Sequence, residues 1–399
     1  MRKRIKKQLE TIVNRVNEHL SIKAYKIIEI IKFKDSRRKK IYSNVKLTKE
    51  QKRKIDRLFI NNYGKRIPYT WHRHYTAFTG NFDEKYIPEL LYIPEFEYYM
   101  TPHKEYCYAF ADKNVISIIA GYIGVKTPKT ILSGTAGIYR DENLQPLSFR
   151  MAVKRLVDAG GAMFVKPSIE TGSGEGCHII NIDNGMDIVT GNSVEKTLAD
   201  LGENFVIQEL IKCHENIARL HPQSVNTFRV ITYRWKSDIK HFPVIMRIGM
   251  GESYLDNAHA GGIFIAVDDD GALHKTAYTE FNQQYIRHPN TNILFEGYKV
   301  ENIDKVIYAA EKMHYAIPQV GVVNWDFTLN EEGEPVLIEG NMRKGSIWLI
   351  EEAHGCGAFG NDTGMVLNWL RQMRTTKINK RNQINYGGLG INIADNKGW

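Results

Sequence analysis

Apolar and polar positions alternate along Val322–Leu329 and again along residues 336–341, on either side of the polar link Asn330-Glu331-Glu332-Gly333-Glu334-Pro335. A period of two around a turn bearing Gly and Pro predicts two antiparallel strands. With the turn centred between Glu332 and Gly333, Asp326 lies directly across from Glu339. Carboxylates facing each other at about 4.5–5.5 Å destabilise a sheet, so a compensating partner is expected. Glu339 and Asn341 are two apart on one strand and share a face. Two acids and an amide converging as hard oxygens suit magnesium, which keeps waters and phosphates in its shell. The plainer alternative is a solvated hairpin with an acidic face.

The same period marks other strands. Gly161-Ala162-Met163-Phe164-Val165-Lys166-Pro167 reads as a short apolar strand ending in a lysine, and Cys177-His178-Ile179-Ile180-Asn181-Ile182 as a second one. Between them lies Ser168-Ile169-Glu170-Thr171-Gly172-Ser173-Gly174-Glu175-Gly176. Alternate glycines let backbone N–H groups come close to an anion, and Lys166 adds a point charge for phosphate. No Gly-Lys-Ser/Thr follows, so this is not a P-loop. Strand rather than helix follows, so it is not a dinucleotide fingerprint. Taken alone, the segment also fits a flexible turn.

Asn204-Phe205-Val206-Ile207-Gln208-Glu209-Leu210-Ile211 is a third strand, leading to an irregular link with Glu215. In Phe228-Arg229-Val230-Ile231-Thr232-Tyr233-Arg234 the alternation puts Arg229 and Ile231 on one face. A charge sharing a face with apolar residues is rarely left unpaired, so Arg229 calls for a ligand or a carboxylate. Lys113 opens a helix over residues 113–120. Asp256, Asn257 and His259, ahead of Gly261-Gly262, form a compact polar loop that binds substrate or merely turns.

In this order, the lysine with its Gly-rich hairpin, the strand ending Gln-Glu-x-Ile, and the late Asp and Glu-x-Asn resemble the ATP-grasp superfamily. More narrowly, the chain resembles the sugar-transfer-associated ATP-grasp family. That likeness rests on Tyr86-Ile87-Pro88, Ala111-Asp112-Lys113-Asn114, Ser224-Val225-Asn226-Thr227-Phe228-Arg229, Asp256-Asn257 with Gly261-Gly262, and Trp325-Asp326, and covers roughly residues 85 to 372. The resemblance implies an α+β fold of two lobes with largely antiparallel sheets and ATP between them. It implies that Lys113 and Lys166 contact ATP phosphates, and that Gly172, Ser173, Gly174 and Gly176 close over them. Gln208, Glu209 and the Ile211 backbone would hold the adenine edge, and Glu215 the ribose. Asp326, Glu339 and Asn341 would bind one or two Mg2+ ions. Arg229, with Arg247 and Arg343, would neutralise charge near the transferred phosphoryl group, and Asn226, Asp256, Asn257 and His259 would meet substrate. Phosphoryl transfer needs positioning and electrostatics more than a covalent nucleophile, and the sequence shows no serine or cysteine triad.

Charge sharpens the picture at the N-terminus. Residues 1–57 hold 20 Lys/Arg against 6 Asp/Glu, a net of +14, while all 399 residues together carry +9, leaving −5 for the remainder. Ile5, Leu9, Ile12, Val13, Val16 and Leu20 recur at helical spacing there. Such a basic helix suits an anionic membrane surface through residues 1–34, or a helix packed on its own core with a solvated basic face, which is preferred. No recognised motif supports nucleic acid as a partner. The four cysteines are scattered without metal-type pairing and read as free thiols of a reducing compartment. The charged start lacks an apolar core, so no signal peptide is expected. The apolar run around residues 115–125 is too short and Gly-broken to span a bilayer. A cytoplasmic protein, or one peripheral to the inner face of the membrane, follows; the oligomeric state is left open.

The expected organisation is a basic helical segment (1–57), an aromatic-rich lobe (58–111), a lobe with the Gly-rich loop (112–211), a metal-bearing lobe (212–374) and an irregular tail (375–399). No βαβ unit is readable before residue 112. The expected activity is an ATP- and Mg2+-dependent carboxylate–amine ligase acting through an acyl phosphate, on a sugar acid or amino acid of a surface glycan. A kinase using the same ATP site, or a non-catalytic nucleotide-binding scaffold at a membrane, are the alternatives.

Overall fold

The computed structural model describes residues 2–169, 174–235 and 237–384. From Arg2 to Tyr122 the chain is helical, and no β-strand occurs among the described residues of this part. The helix Lys49–Tyr63 illustrates why. Thr48 Oγ1 accepts the Gln51 N–H while the Gln51 side chain accepts the Thr48 N–H, a reciprocal cap. Gly64, at φ +78°, ends the helix in the left-handed conformation. Ile55, Phe59 and Tyr63, four apart, are the residues it buries.

Two antiparallel sheets follow. The first contains β1 (Thr130–Thr135), β2 (Ile138–Arg140), β3 (Pro146–Leu147), β4 (Gly161–Pro167), β5 (His178–Asp183), β6 (Met186–Asp187), β7 (Asn192–Ser193) and β8 (Phe205–Glu209). Their order is β3-β2-β1-β8-β4-β5-β6-β7. The second contains β9 (Thr227–Trp235), β10 (Asp238–His241), β11 (Val244–Ile248), β12 (Ile263–Val267), β13 (Ala277–Tyr278), β14 (Gln284–Tyr285), β15 (Val322–Leu329) and β16 (Pro335–Asn341). It runs β14-β13-β12-β11-β9-β15-β16, with β10 paired to β9.

One face of the first sheet carries a compact core of Leu132, Leu156, Val165, Ile180 and Ile207, covered by helices Phe149–Ala159 and Val194–Asp200. The second sheet is covered on both faces, and every residue of β15 is buried. Phe228, Val230, Trp325 and Phe327 face a core shared with helix Ile303–Ala316. Ile231, Tyr233 and Ile245 face the other core, which also takes Tyr75, Tyr86, Tyr92 and Phe96 from the aromatic-rich segment and Trp369 from helix Thr363–Thr375. The aromatic residues expected to form their own lobe therefore share a core with the second sheet. Aromatic rings bury large areas, and the apolar half of this sheet face supplies the partner, together with helices Trp348–His354 and Thr363–Thr375.

The basic helix Arg2–Lys32 is long, as its periodicity predicts. Lys26 pairs with buried Glu95, Ile22 packs on the core, and Phe33 just beyond the helix is buried. Val16 and Leu20 are half-exposed, and the side chains of Ile5, Leu9, Ile12 and Val13 lie outside the described ones. The tail departs from expectation: Ile378–Gln383 forms a 3-10 turn whose Arg381 bonds both oxygens of Glu18 at 2.6 and 2.8 Å. Tail residues 385–399 lie outside the described residues. The cysteines are free, and no helix among the described residues is long and apolar enough to cross a membrane.

Candidate nucleotide and metal site

The alternation of the second sheet puts Thr227, Arg229, Arg247 and Asp326 on the face that elsewhere carries Ile231, Tyr233 and Ile245, so one face has an apolar half and a charged half. The register pairs Asp326 with Arg229 on one side and with Glu339 on the other. The compensating partners required by facing carboxylates are two arginines. Arg229 bonds both oxygens of Asp326, at 2.5 and 3.1 Å, and Arg247 reaches it at 3.2 Å. Burial alone would raise the Asp326 carboxyl, but Arg229 and Arg247 hold it below its ordinary value. Arg247 also bonds Thr227 Oγ1 through Nε and a terminal nitrogen, and Asn257 Oδ1 at 2.9 Å. The Thr227 hydroxyl donates to Asp256, whose carboxyl burial raises against the pull of Arg247.

The first sheet contributes one lysine and the helix Lys113–Tyr122 another. Lys166, near the end of β4, is buried and donates to the Ile338 carbonyl of β16 at 3.1 Å. Burial lowers it to about 8, with Glu339 pulling up and Lys113 pushing down. Lys113, in the first turn of helix Lys113–Tyr122, lies 4.0 Å from Glu339 Oε2. The Lys113 N–H donates to Ser168 O at 2.9 Å, which fixes this helix start against the end of β4. Glu339 Oε1 accepts from Asn341 Nδ2 at 3.0 Å. Ile338 is free to accept from Lys166 because the β15–β16 ladder slips there: Asp326 pairs with Glu339 but Phe327 with Leu337, leaving Ile338 as the extra residue of a bulge.

The Gly-rich segment keeps its conformational logic where it is described. Gly174 and Gly176 have φ of +81° and +74°, and a Cβ on Gly176 would lie 2.7 Å from Pro167 Cγ. Gly172 and Ser173 lie outside the described residues.

Several expected residues sit elsewhere. Asn226 is fully buried, its amide donating to Ile217 and His221 carbonyls while its oxygen accepts from Ser224 and Gly249, so all four bonding positions are used inside the protein. His259 pairs with Glu280 at 2.7 Å and lies beside Trp348. Arg343 stacks over Tyr108 at 4.3 Å and lines a separate 280 Å3 pocket with Lys104 and Glu97, whose carboxyl burial raises to about 7. Gln208 is buried and donates to Pro128 O, and Glu209 is exposed and paired with Lys129 at 2.7 Å. Ile211 is half-buried in the link after β8, and Glu215 is exposed at the start of helix Glu215–Ala218. Thr227, which ties Arg247 to Asp256, was not singled out from sequence; its i, i+2 relation to Arg229 was the available signal.

The cluster thus joins Lys113, Lys166, Arg229, Arg247, Asp256, Asn257, Asp326, Glu339 and Asn341 across two antiparallel sheets. A family profile described as sugar-transfer associated ATP-grasp matches residues 95–365. The chain belongs to that family. Among solved structures, it is similar to an L-amino acid ligase from Bacillus licheniformis (14% identity, 66% of this chain and 48% of that one, TM-score 0.37). It is also similar to a D-alanine–D-alanine ligase from Bacillus anthracis (15%, 66% and 68%, 0.37), and to the VanG D-Ala:D-Ser ligase from Enterococcus faecalis (13%, 66% and 61%, 0.38). This ATP-grasp chain spans about half to two-thirds of the length of these proteins. The search of curated proteins gave no match.

Proposed function

We propose that this ATP-grasp protein is an ATP- and Mg2+-dependent carboxylate–amine ligase. The observation that carries the reading is the meeting of two lysines from the Gly-rich side with Glu339 from the other sheet. Lys166 and Lys113 offer positive charge for a polyphosphate, and Glu339, Asn341 and Asp326 are hard oxygens suited to magnesium. The donor set fits such a cation: Asn341 uses its nitrogen on Glu339 and keeps its oxygen, while Asp326 shares its carboxylate with Arg229 and Arg247. When bound, magnesium offsets charge on the phosphate oxygens.

In this reading Lys113 and Lys166 bind the phosphates and Gly174 and Gly176 shape the loop beside them. Arg229 and Arg247 keep Asp326 ionised and fixed in place, and Asn257 with Asp256 completes the wall next to them. A substrate carboxylate oxygen attacks the γ-phosphorus and ADP leaves. The amine nitrogen then attacks the acyl carbon, loses a proton, and inorganic phosphate departs, giving an amide. A sugar acid or amino acid bound for a surface glycan is the proposed acceptor class. Product analysis with ATP, Mg2+ and a panel of sugar acids and amines tests this. ADP release that depends on the amine and yields free phosphate and an amide is expected. A phosphorylated hydroxyl product formed without amine would replace the ligase by a kinase.

A further inference from the structure

The loop after β12 and the end of helix Trp348–His354 bring together three side chains that the nucleotide site does not use. One nitrogen each of His274 and His354 and a carboxylate oxygen of Asp268 all lie within 4.8 Å of one another. We propose that Asp268, His274 and His354 form a second metal site, for a divalent cation of the imidazole-preferring kind, such as Zn2+.

Two independently held elements supply the ligands. Asp268 pairs with Ala272 across the turn, and His274 lies two residues further on, so both point from the same face of the hairpin. His274 Nε2 hydrogen-bonds an Asp268 oxygen at 2.9 Å, a contact that the cation would replace as the proton leaves. The turn itself is fixed: Gly271 has φ +88° and a Cβ there would lie 2.1 Å from the Val300 carbonyl. His354 comes from the last turn of its helix, which Gly355 ends at φ +68°. Its ring stands 5.1 Å from that of His274 at 71°.

His354 has the hydrogen-bond arrangement of a metal ligand. Its Nε2 contacts the Val244 carbonyl at 2.8 Å. A carbonyl only accepts, so the proton is on Nε2 and Nδ1 keeps its lone pair. Ligating histidines characteristically hand their other N–H to a carbonyl or carboxylate, which sets tautomer and orientation. Burial lowers His354 to about 4, so the ring is neutral near pH 7. Two imidazoles and one carboxylate favour zinc-like ions over magnesium or calcium. Ligands about 2.0–2.1 Å from zinc sit about 3.3 Å apart in a tetrahedron, so the widest pair must close by at most about 1.5 Å. Exposed Asp268 and half-buried His274 can turn to do so, while His354 stays anchored.

The test uses the full chain, stripped with chelator and kept in excess Mg2+ so that the Asp326–Glu339 site is occupied. Titration with Zn2+, and with Co2+ followed by its visible absorption, should give one equivalent bound. His274→Ala and Asp268→Asn should each weaken binding at least about 10-fold, the lower end of what losing even an outer partner of a ligand costs. Unchanged affinity in both variants, or no Co2+ binding by the wild type, overturns the site. Asp268 is exposed and His274 half-buried, so melting temperatures without metal should stay close to the wild type; a metal-induced rise in melting temperature should appear in the wild type alone.

Discussion

Removing Arg229 should expose how much of the second sheet depends on one buried ion pair. Its guanidinium holds both Asp326 oxygens at 2.5 and 3.1 Å, with side chains 13% and 1% exposed. A unit pair about 3 Å apart at an effective dielectric of about 20 is worth about 5 kcal/mol before desolvation. Truncating one member of such a pair costs about 3–5 kcal/mol, because a buried charge is left behind. Arg247, 3.2 Å from the same carboxylate, retains part of that compensation. Arg229→Ala should therefore lose about 2–3 kcal/mol, and Asp326→Asn a similar amount. The double variant should fall short of their sum by about 1.5 kcal/mol or more, beyond the roughly 0.5 kcal/mol expected of independent sites. Urea unfolding of the purified full chain at pH 7 measures all three. The sign with pH follows from the depressed Asp326 carboxyl. The pair's stabilisation is present above the unfolded value of about 3.9 and lost as pH falls through the folded one, so the Arg229→Ala deficit should shrink in acid. Turnover of Arg229→Ala should also drop about 10²–10³-fold, as when one preorganised donor is lost, with ATP affinity little changed because both lysines remain. Additive single losses would refute the pairing, and equal loss of ATP binding and turnover would place Arg229 in ground-state nucleotide binding.

Glu339→Gln should leave the fold intact and abolish Mg2+-dependent turnover; near-normal ADP release from the folded variant removes Glu339 from the metal set. Lys166 sits near 8 in the folded protein, so ATP affinity measured by calorimetry should be full below that pH and fall above it as the cation is lost. Lys166→Met should bind ATP weakly and without that pH dependence; a wild-type affinity flat to pH 9 would contradict the assignment. Deleting residues 1–34 removes Lys26 from buried Glu95, Glu18 from Arg381 and Phe33 from the core. The truncated chain should melt lower by several degrees, whereas unchanged melting with lost binding to anionic vesicles would favour a surface helix.

Local period makes much of the chemistry legible in the sequence. Alternation locates β4, β5, β8, β9 and the β15–β16 pair. The Asp326–Glu339 pairing rests there on a turn centred between Glu332 and Gly333, whereas the turn is centred on Glu332 and the bulge brings the two acids opposite each other. The demand that facing acids find compensation was met by Arg229, itself flagged because it shared a face with Ile231. Less legible were features set by distant sequence. The resemblance implied that Asn226 meets substrate, but its partners Ile217, His221 and Gly249 come from a short helix, the link after it and a strand end that only folding brings together. The aromatic segment gave no period because its rings are arranged around a sheet face formed more than a hundred residues later. Arg343 follows Asn341 closely in sequence, yet the chain turns after β16 and carries it to Tyr108.

The slipped ladder at Ile338 also bears on how this hairpin can change over generations. Between Phe327 and Leu329 the pairing runs one residue out of step with that at Asn324 to Asp326, and the surplus residue absorbs the difference. Losing Ile338 would give an unbroken ladder in which Glu339 still lies across from Asp326, while the carbonyl that accepts from Lys166 disappears. The hairpin and its carboxylate would survive, and the tie to the buried lysine would be gone. A change of one residue at the bulge therefore bears on the link between the two sheets, through Lys166, and leaves the acid pair in place.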